Sequence, residues 1–133
     1  MLAGRTAIVT GGASGIGRAT ALLYAGRGAN VVIGDLDPIG GAQTVSLIAD
    51  AGGQATFMAT DVSVAAQVEA LVGAALDRYG RLDIAANIAG LFKYGGLLDA
   101  GEADWSEVIR VNLTGVFLCM KYEIAAIDRK SVV

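Results

Sequence analysis

The stretch Thr10-Gly11-Gly12-Ala13-Ser14-Gly15-Ile16-Gly17 decides the fold of this chain. The apolar run Thr6-Ala7-Ile8-Val9 comes directly before it and predicts a buried strand. The segment after it has the apolar periodicity of a helix over about 15–27, with Gly28 as its C-terminal cap. A glycine-rich turn between a strand and a helix is the context in which such a pattern indicates phosphate binding.

Each glycine of this turn has its own role in that interpretation. Gly11 allows the tight turn out of the strand, and Gly17 lets the helix pack closely on the strand. Gly15 has no Cβ, so a pyrophosphate can approach the backbone there, where the free N–H groups of the first helical turn point at the anion. On the glycines alone, an ordinary glycine-rich turn without a ligand stays the alternative.

The composition excludes several classes of function. A chain of 133 residues can form one domain, and its hydrophobic content of 54% fits a parallel sheet covered on both faces. No apolar run reaches the roughly 18 residues of a membrane helix, and the N-terminus lacks the pattern of a signal peptide. The net charge of −3, without a basic run, argues against nucleic acid or a membrane surface as partner.

The cysteine and histidine counts narrow the chemistry further. The single Cys119 excludes an internal disulfide and favours a reducing, cytoplasmic compartment. The chain has no histidine, so histidine-ligated metal sites and a Ser-His-Asp triad are excluded, and we predict no metal site.

Strands and helices alternate along the chain, which predicts parallel strands joined by right-handed crossovers. The predicted strands cover 6–9, 30–35, 54–60 and 82–86, and the last helix covers 104–128. We predict an α/β fold: one domain over 1–133 with a Rossmann-type, doubly wound parallel sheet of order 3-2-1-4. Ser131-Val132-Val133 would begin a fifth strand.

Apolar spacing predicts the buried helix faces. The predicted buried residues of the first helix are Ile16, Ala19 and Leu23, and those of the second are Ala42, Val45, Ile48 and Ala49. Those of the third helix are Val68, Leu71, Val72, Ala75, Leu76 and Tyr79. The last helix has an apolar stripe of Trp105, Val108, Ile109, Leu113, Val116, Phe117, Met120, Ile124 and Ile127. Asn112 lies on that stripe, where a buried amide needs satisfied hydrogen bonds. Ser63 is a predicted N-cap, and Asp104 with Glu107 a predicted capping box.

Asp35 ends the second predicted strand, roughly 20 residues beyond the glycine turn, where a carboxylate can accept hydrogen bonds from a ribose 2′-hydroxyl. The same charge would repel a 2′-phosphate, which favours NAD over NADP. Asp35 as a solvated loop acid is the alternative.

The pattern Thr10-Gly-x-x-x-Gly15-x-Gly17 resembles the cofactor fingerprint of the short-chain dehydrogenase/reductase family. Asn87-Ile88-Ala89-Gly90 resembles the family's Asn-Asn-Ala-Gly turn, with Ile88 as a departure, and Val111-Asn112-Leu113-Thr114-Gly115 matches the segment of its catalytic Asn. Asp61-Val62 follows the third strand, where relatives contact the adenine ring. Position 14 carries no Arg or Lys, unlike many NADP-using relatives.

The resemblance implies reversible hydride transfer between NAD and a small alcohol or ketone. The cofactor-binding residues that it implies are Gly11, Ser14, Gly15, Ile16, Gly17, Asp35, Leu36, Asp61, Val62, Asn87, Ala89 and Gly90. It also implies that Asn112 is catalytic, bends its helix and holds a water in a proton relay. The loop 91–98 is either a wall of the substrate site or an ordinary surface loop.

The family's catalytic Ser and its Tyr-x-x-x-Lys pair have no counterpart here. Tyr24, Tyr79, Tyr94 and Tyr122 are each followed four residues later by something other than Lys. We therefore expect a cofactor-binding portion that is inactive alone, with an apolar helix face left uncovered and self-association through the 104–128 helix. A non-catalytic dinucleotide-binding or subunit-interaction module is the alternative.

Overall fold

The computed structural model describes residues 1–129, so the predicted fifth strand at Ser131–Val133 lies outside the described residues. The strands are β1 Thr6–Thr10, β2 Asn30–Asp35, β3 Gln54–Ala59 and β4 Ile84–Asn87. The helices are α1 Gly15–Gly26, α2 Pro38–Asp50, α3 Ala65–Tyr79, α4 Glu102–Ile109 and α5 Gly115–Asp128. A short 3₁₀ turn covers Leu97–Asp99, and a π-helical turn, Arg110–Thr114, joins α4 to α5.

The four strands form one parallel sheet of order β3-β2-β1-β4, as the sequence predicted. Alternate residues of β1 enter two separate cores, because successive strand side chains point to opposite faces. Ala7 and Val9 pack on the side of α1 and α2, whereas Ile8 packs on the side of α3 and α5. Both faces of the sheet are covered, which explains why its central strands are apolar throughout.

Among residues 1–129, no helix is both long enough and apolar enough to cross a membrane.

The buried face of α1 differs from the predicted one. Gly17, Ala21 and Ala25 are buried, whereas Ile16 is 77% exposed and Leu23 is 55% exposed. Glycine and alanine at these positions let the helix axis approach the sheet, whereas Ile16 and Leu23 lie on the outer side.

The same correction applies to α2, where Ala42 and Ala49 are exposed and the buried residues include Gly41 and Thr44. A Cβ on Gly41 would collide with the ring of Phe57 in β3, so the glycine is what allows this close contact. The predicted face of α3 is correct, with Val68, Leu71, Val72 and Ala75 buried.

Two predicted N-caps are wrong. The N-cap residue of α3 is Val64, because the Ser63 hydroxyl donates to Asp61 Oδ1 at 2.6 Å instead. The last predicted helix is divided, and α4 begins at Glu102 rather than after an Asp104 cap. Glu107 forms an ion pair with Lys93 Nζ at 2.8 Å and does not close a capping box.

The core face of α5 consists of Gly115, Cys119, Glu123 and Ala126. The predicted stripe is largely outside the core: Trp105, Leu113, Phe117, Met120 and Ile124 are each between 48% and 66% exposed. A Cβ on Gly115 would lie 2.7 Å from Val62 Cγ2, so a larger residue there would push the helix away from the core. Within residues 1–129, this apolar face of the helix is therefore exposed.

A buried carboxylate ties β1 to β4 at the amino ends of the strands. Asp83, whose side chain is 4% exposed, accepts hydrogen bonds from the backbone N–H of Thr6 at 2.9 Å and from Arg5 Nη1 at 3.0 Å. Arg81 adds two donors, Nε at 2.9 Å and Nη2 at 2.7 Å. This cluster lies at the amino ends of the strands, whereas the glycine turn lies at their carboxyl ends, so the role of the cluster is structural.

Candidate functional site

A cleft of about 410 Å³ opens at the carboxyl ends of the strands, between the glycine turn and the turn after β4. This is the edge at which open α/β sheets bind ligands, and the volume lies in the usual range of ligand pockets. The predicted residues that line it are Gly11, Ser14, Gly15, Ile16, Gly17, Asp35, Leu36, Asp61, Ala89 and Gly90. The structure thus brings these residues together, and their cofactor role stays a prediction.

The glycine turn has the geometry that an anion site needs. A Cβ on Gly17 would overlap the Gly11 carbonyl oxygen, so the first helical turn lies directly on the turn backbone. Gly15 has a φ of +51° and open space where a Cβ would stand. Because the first helix-type hydrogen bond runs from Arg18 N to Ser14 O, the preceding N–H groups of the first turn remain available to an anion.

Gly11 also brings the two sides of the cleft together. Its N–H donates to Gly34 O at 2.8 Å, and a Cβ on it would lie 2.8 Å from Ala89 N. Thr10 Oγ1 accepts from the N–H groups of Ile88 at 3.1 Å and Ala89 at 3.2 Å. Ile88 packs against the core on the α1 side, so this departure from the family turn is accommodated.

Asp35 is bonded to its neighbours and is not a freely solvated acid. Its Oδ2 accepts from Ala13 N and its Oδ1 accepts from Asp37 N, each at 3.0 Å. A carboxylate oxygen accepts about two hydrogen bonds, so both oxygens retain capacity for ribose hydroxyls. The carboxylate therefore supports the glycine turn and lines the cleft at the same time.

Arg18 fixes the outer side of the glycine turn, a role that the sequence analysis missed. Its guanidinium donates to Ala13 O at 2.6 Å, to Thr44 Oγ1 at 2.9 Å and to Gly40 O at 3.2 Å. The Thr44 hydroxyl in turn donates to Gly12 O at 2.8 Å. The turn is thus attached to α2 through side chains that are distant in sequence.

Asp61 lies at the other end of the cleft. Its Oδ1 accepts from Ser63 N at 2.9 Å and from the Ser63 hydroxyl, and its Oδ2 accepts from Arg110 Nη1 at 3.4 Å. The hydrogen bond from the Ser63 hydroxyl, with a smaller contribution from the Arg110 charge, lowers the pKa of Asp61. The neighbouring Val62 does not line the cleft; it is 6% exposed and packs near Cys119.

Six further residues line the cleft and were not among the predicted cofactor-binding residues: Thr60, Ile88, Leu91, Glu107, Arg110 and Val111. Thr60 and Ile88 could have been found, since each lies next to a predicted site residue at the end of a strand. Leu91 begins the loop 91–98, for which a wall of the substrate site was one of the two predicted alternatives. Glu107, Arg110 and Val111 come from α4 and the π-helical turn.

Asn87 faces away from the cleft and contacts α5. Its Nδ2 donates to Glu123 Oε2 at 2.8 Å, and Glu123 is only 2% exposed. Burial raises the pKa of Glu123, and the Asn87 hydrogen bond partly opposes this shift. The buried Asn87 Oδ1 has no hydrogen-bond partner within residues 1–129. A neutral Glu123 carries an O–H, which is the kind of donor that this oxygen lacks.

Glu123→Gln is expected to stabilise the protein increasingly as pH rises. Because burial raises the pKa of Glu123 above its ordinary 4.5, the wild type loses stability as pH increases through the folded-state pKa. The glutamine does not titrate, so the difference grows by at most about 1.4 kcal/mol per pH unit. Urea unfolding between about pH 4 and pH 8 measures it. Glu69→Gln, on the exposed side of α3, is the control. If the free energies of unfolding of the wild type and of Glu123→Gln changed in parallel with pH, the prediction would be contradicted.

Asn112 lies in the π-helical turn and is exposed, so the prediction of a buried amide is wrong. Its hydrogen bonds are nevertheless made: Oδ1 accepts from Leu91 N and Nδ2 donates to Leu91 O, each at 2.8 Å. The side chain thereby holds the start of the 91–98 loop against the helix. The π-helical turn lies where the resemblance implied a bend in the helix, and both the bend and the catalytic role of Asn112 stay predictions.

A parallel doubly wound sheet with a glycine-rich turn at the carboxyl ends of its strands defines a Rossmann-type protein. The family model described as short chain dehydrogenase matches residues 5–132. The chain belongs to the short-chain dehydrogenase family, which confirms the resemblance carried by the glycine turn.

Its relatives include the short chain dehydrogenase/reductase astE of Aspergillus oryzae, which is 43% identical over 125 residues, covering 92% of this chain and 48% of the relative. The (2S)-[(R)-hydroxy(phenyl)methyl]succinyl-CoA dehydrogenase subunit BbsD of Thauera aromatica is 42% identical over 115 residues, covering 86% and 46%. The chain therefore spans about half the length of the curated relatives it matches.

Solved structures agree with this assignment. A short chain dehydrogenase/reductase from Burkholderia phymatum in complex with NAD has a TM-score of 0.93 at 35% identity, covering 97% of this chain and 46% of that one. A short-chain type dehydrogenase/reductase from Mycobacterium marinum has a TM-score of 0.91 at 31% identity, covering 94% and 51%. These similarities confirm the predicted Rossmann-type fold.

Proposed function

We propose that this chain is the NAD-binding domain of an oxidoreductase that transfers hydride between NAD and a small alcohol or ketone. One observation carries the proposal: open backbone at Gly15 and the Asp35 carboxylate line the same cleft. This pairing fits a diphosphate joined to an unphosphorylated ribose. The NAD complex of the Burkholderia phymatum relative supports it.

Different residues of the cleft would bind different parts of the cofactor. The N–H groups at the start of α1 would hold the diphosphate, and Asp35 would accept from the adenosine ribose. Asp61 would bind the adenine amino group, and Ala89 and Gly90 would line the path towards the nicotinamide. The cofactor supplies the hydride. Asn112 would contribute by holding Leu91, and thus the loop beside the reacting end, in place.

A non-catalytic dinucleotide-binding or subunit-interaction module is the second candidate. The exposed apolar stripe from Trp105 to Ile124 favours it, because apolar faces of this kind mark interaction surfaces. Under this proposal the chain self-associates through residues 104–128. The two candidates differ in turnover: an alcohol panel with NAD gives product only if the chain, alone or in its assembly, supplies a group that accepts the proton of the alcohol hydroxyl.

The direct test of the function is a titration of the purified chain with NADH, followed by the fluorescence of the cofactor and by calorimetry. We expect saturable binding at one site per chain. A titration without saturable binding would overturn the proposed function.

Asp35→Asn is expected to weaken NADH binding about 10- to 100-fold and to reduce the preference over NADPH. The amide keeps the size of the side chain but loses the charge and half of the acceptor capacity that ribose hydroxyls need. Calorimetric titration with both cofactors measures the change. Asp37→Asn is the matched control, because Asp37 caps α2 through Ile39 N and lies outside the cleft lining, and Asn caps helices equally well. Equal losses in the two variants would contradict the ribose role.

A further inference from the structure

We propose that Arg110 is a positioning and specificity residue for the adenine end of the cleft. Its guanidinium fixes the direction in which the Asp61 carboxylate presents its free acceptor, and it covers the base from the α4 side. This inference rests on the proposed function, since it concerns how the same cleft distinguishes one base from another.

The position of Arg110 is set by the π-helical turn. Arg110 is the first residue of this turn, and its side chain reaches across to the segment that follows β3. There it contacts Asp61 Oδ2 at 3.4 Å and also donates to the Ser63 hydroxyl oxygen. Asp61 and Arg110 are 49 positions apart in the chain, so the contact joins two separate walls of the cleft.

Arg110 is also the cationic residue among those that line the cleft within residues 1–129. The other charged lining residues there are Asp35, Asp61 and Glu107. Glu107 is already paired with Lys93 Nζ at 2.8 Å. The carboxylate that Arg110 orients is therefore Asp61, and no other lining acid competes for it at hydrogen-bond distance in the described structure.

The hydrogen bonds of Asp61 leave one acceptor position free. Oδ1 receives two bonds from Ser63, through its N–H at 2.9 Å and its hydroxyl at 2.6 Å, which uses its ordinary capacity. Oδ2 receives only the Arg110 contact, so its remaining lone pair can accept one further donor. An exocyclic amino group of adenine is such a donor, whereas the 6-oxo group of hypoxanthine is an acceptor and would face the carboxylate unfavourably.

The guanidinium is suited to a second contact with the base. Its side chain is 48% exposed, and it lies beside Thr60 and Val111 on the cleft wall. A planar guanidinium stacks on aromatic faces more readily than an ammonium does. Arg110 would thus contact the face of the purine while Asp61 reads its edge.

The test compares three reduced ligands: NADH, its hypoxanthine analogue, and nicotinamide mononucleotide, which has no base. We expect Arg110→Ala to weaken NADH binding about five- to tenfold. Binding of the mononucleotide should be unchanged, and binding of the hypoxanthine analogue should change less than that of NADH. The readout is the ratio of the NADH and hypoxanthine-analogue dissociation constants, which a merely structural role would leave unchanged.

Arg5→Ala is the matched control. Arg5 forms an ion pair of the same type, with Asp83 at 3.0 Å, and its side chain is 52% exposed, but the pair lies at the opposite edge of the sheet. We expect the ratio in this variant to equal that of the wild type. Arg110→Lys keeps the charge without the planar fork and should give an intermediate ratio.

The outcomes separate this inference from the proposed function. If the wild type binds none of the dinucleotides, the proposed function fails and the inference fails with it. If the wild type binds NADH and Arg110→Ala has the wild-type ratio, the role of Arg110 is overturned while the proposed function stands. If Arg110→Ala does not fold, the ratio in Arg110→Lys decides: a reduced ratio supports the inference and an unchanged one overturns it.

Discussion

Gly17→Ala is expected to destabilise the protein by about 3 kcal/mol or more and to abolish measurable NADH binding. The added Cβ would overlap the carbonyl oxygen of Gly11 and approach Gly12 Cα to 3.0 Å. Both neighbours are backbone atoms of the glycine turn, so no side chain can move aside to relieve the clash. Either α1 moves away from the sheet or the turn changes shape, and both changes misplace the N–H groups that would hold the diphosphate. Urea unfolding and an NADH titration measure the two effects.

Gly26→Ala is the control for this prediction. It makes the same change in the same helix, where a Cβ would meet nothing within 4 Å. Glycine in a helix costs roughly 0.5–1 kcal/mol relative to alanine, so this variant should be slightly more stable and should bind NADH normally. Gly17→Ala with wild-type stability would show that α1 does not contact the turn as closely as described.

Asp83→Ala is expected to cost about 3 kcal/mol of folding stability without involving the cleft. The carboxylate is almost fully buried and accepts hydrogen bonds from Thr6 N, Arg5 and Arg81. Its removal leaves the N–H of Thr6 buried without this acceptor at the start of the central strand. The unfolding midpoint in urea should fall accordingly, with an unchanged dependence on denaturant concentration if unfolding stays two-state.

Three variants test whether the loss comes from the buried acceptor. Asp83→Asn keeps an acceptor for Thr6 and should lose less than Asp83→Ala. Arg5→Ala and Arg81→Ala remove donors whose side chains are 52% and 41% exposed, and exposed ion pairs contribute little. Losses in either arginine variant as large as that of Asp83→Ala would place the stabilisation in the ion pairs and contradict the prediction.

The sheet and the glycine turn were predictable because their determinants are local. Each strand is a short apolar run. The helices α2 and α3 end near glycines with a positive φ, namely Gly52 with φ +85° and Gly80 with φ +75°. With alternating elements and right-handed crossovers, few strand orders remain, and the observed one is among them. Because Asp35, Asp61 and Ala89 each lie at or just after the carboxyl end of a strand, the sequence placed them at the same cleft.

The buried faces of α1 and α5 were not predictable from apolar spacing. Both helices lie close to the rest of the fold, and such an approach selects glycine, alanine and cysteine at the contact. Gly17 and Gly115 are examples, since a Cβ on either would collide with a neighbouring residue. Several large apolar residues of these helices, such as Leu23 and Phe117, are exposed instead. A hydrophobicity pattern gives large apolar side chains more weight than glycine or alanine. It therefore identifies the wrong buried face for helices that pack closely through small residues.

The remaining site residues were missed because their contacts join distant segments. Arg18 bonds to Gly40 and Thr44, and Arg110 bonds to Asp61. Nothing in the neighbouring sequence of either arginine indicates its partner. Asn112 was singled out from its place on the apolar stripe, and only the family resemblance gave it a catalytic role. Its two bonds to Leu91 show how its amide is satisfied outside the core.

The π-helical turn at Arg110–Thr114 makes the number of residues between α4 and α5 as important as their identity. A helix advances by about 100° per residue, so deleting one residue here would rotate one helix against the other by that angle. Either the Arg110 side chain would leave the cleft, or Glu123 would lose its hydrogen bond from Asn87. Insertions and deletions should therefore be tolerated better in the exposed loop after Leu91. The length of the junction at Arg110–Thr114 sets the orientation of the cleft wall relative to the core.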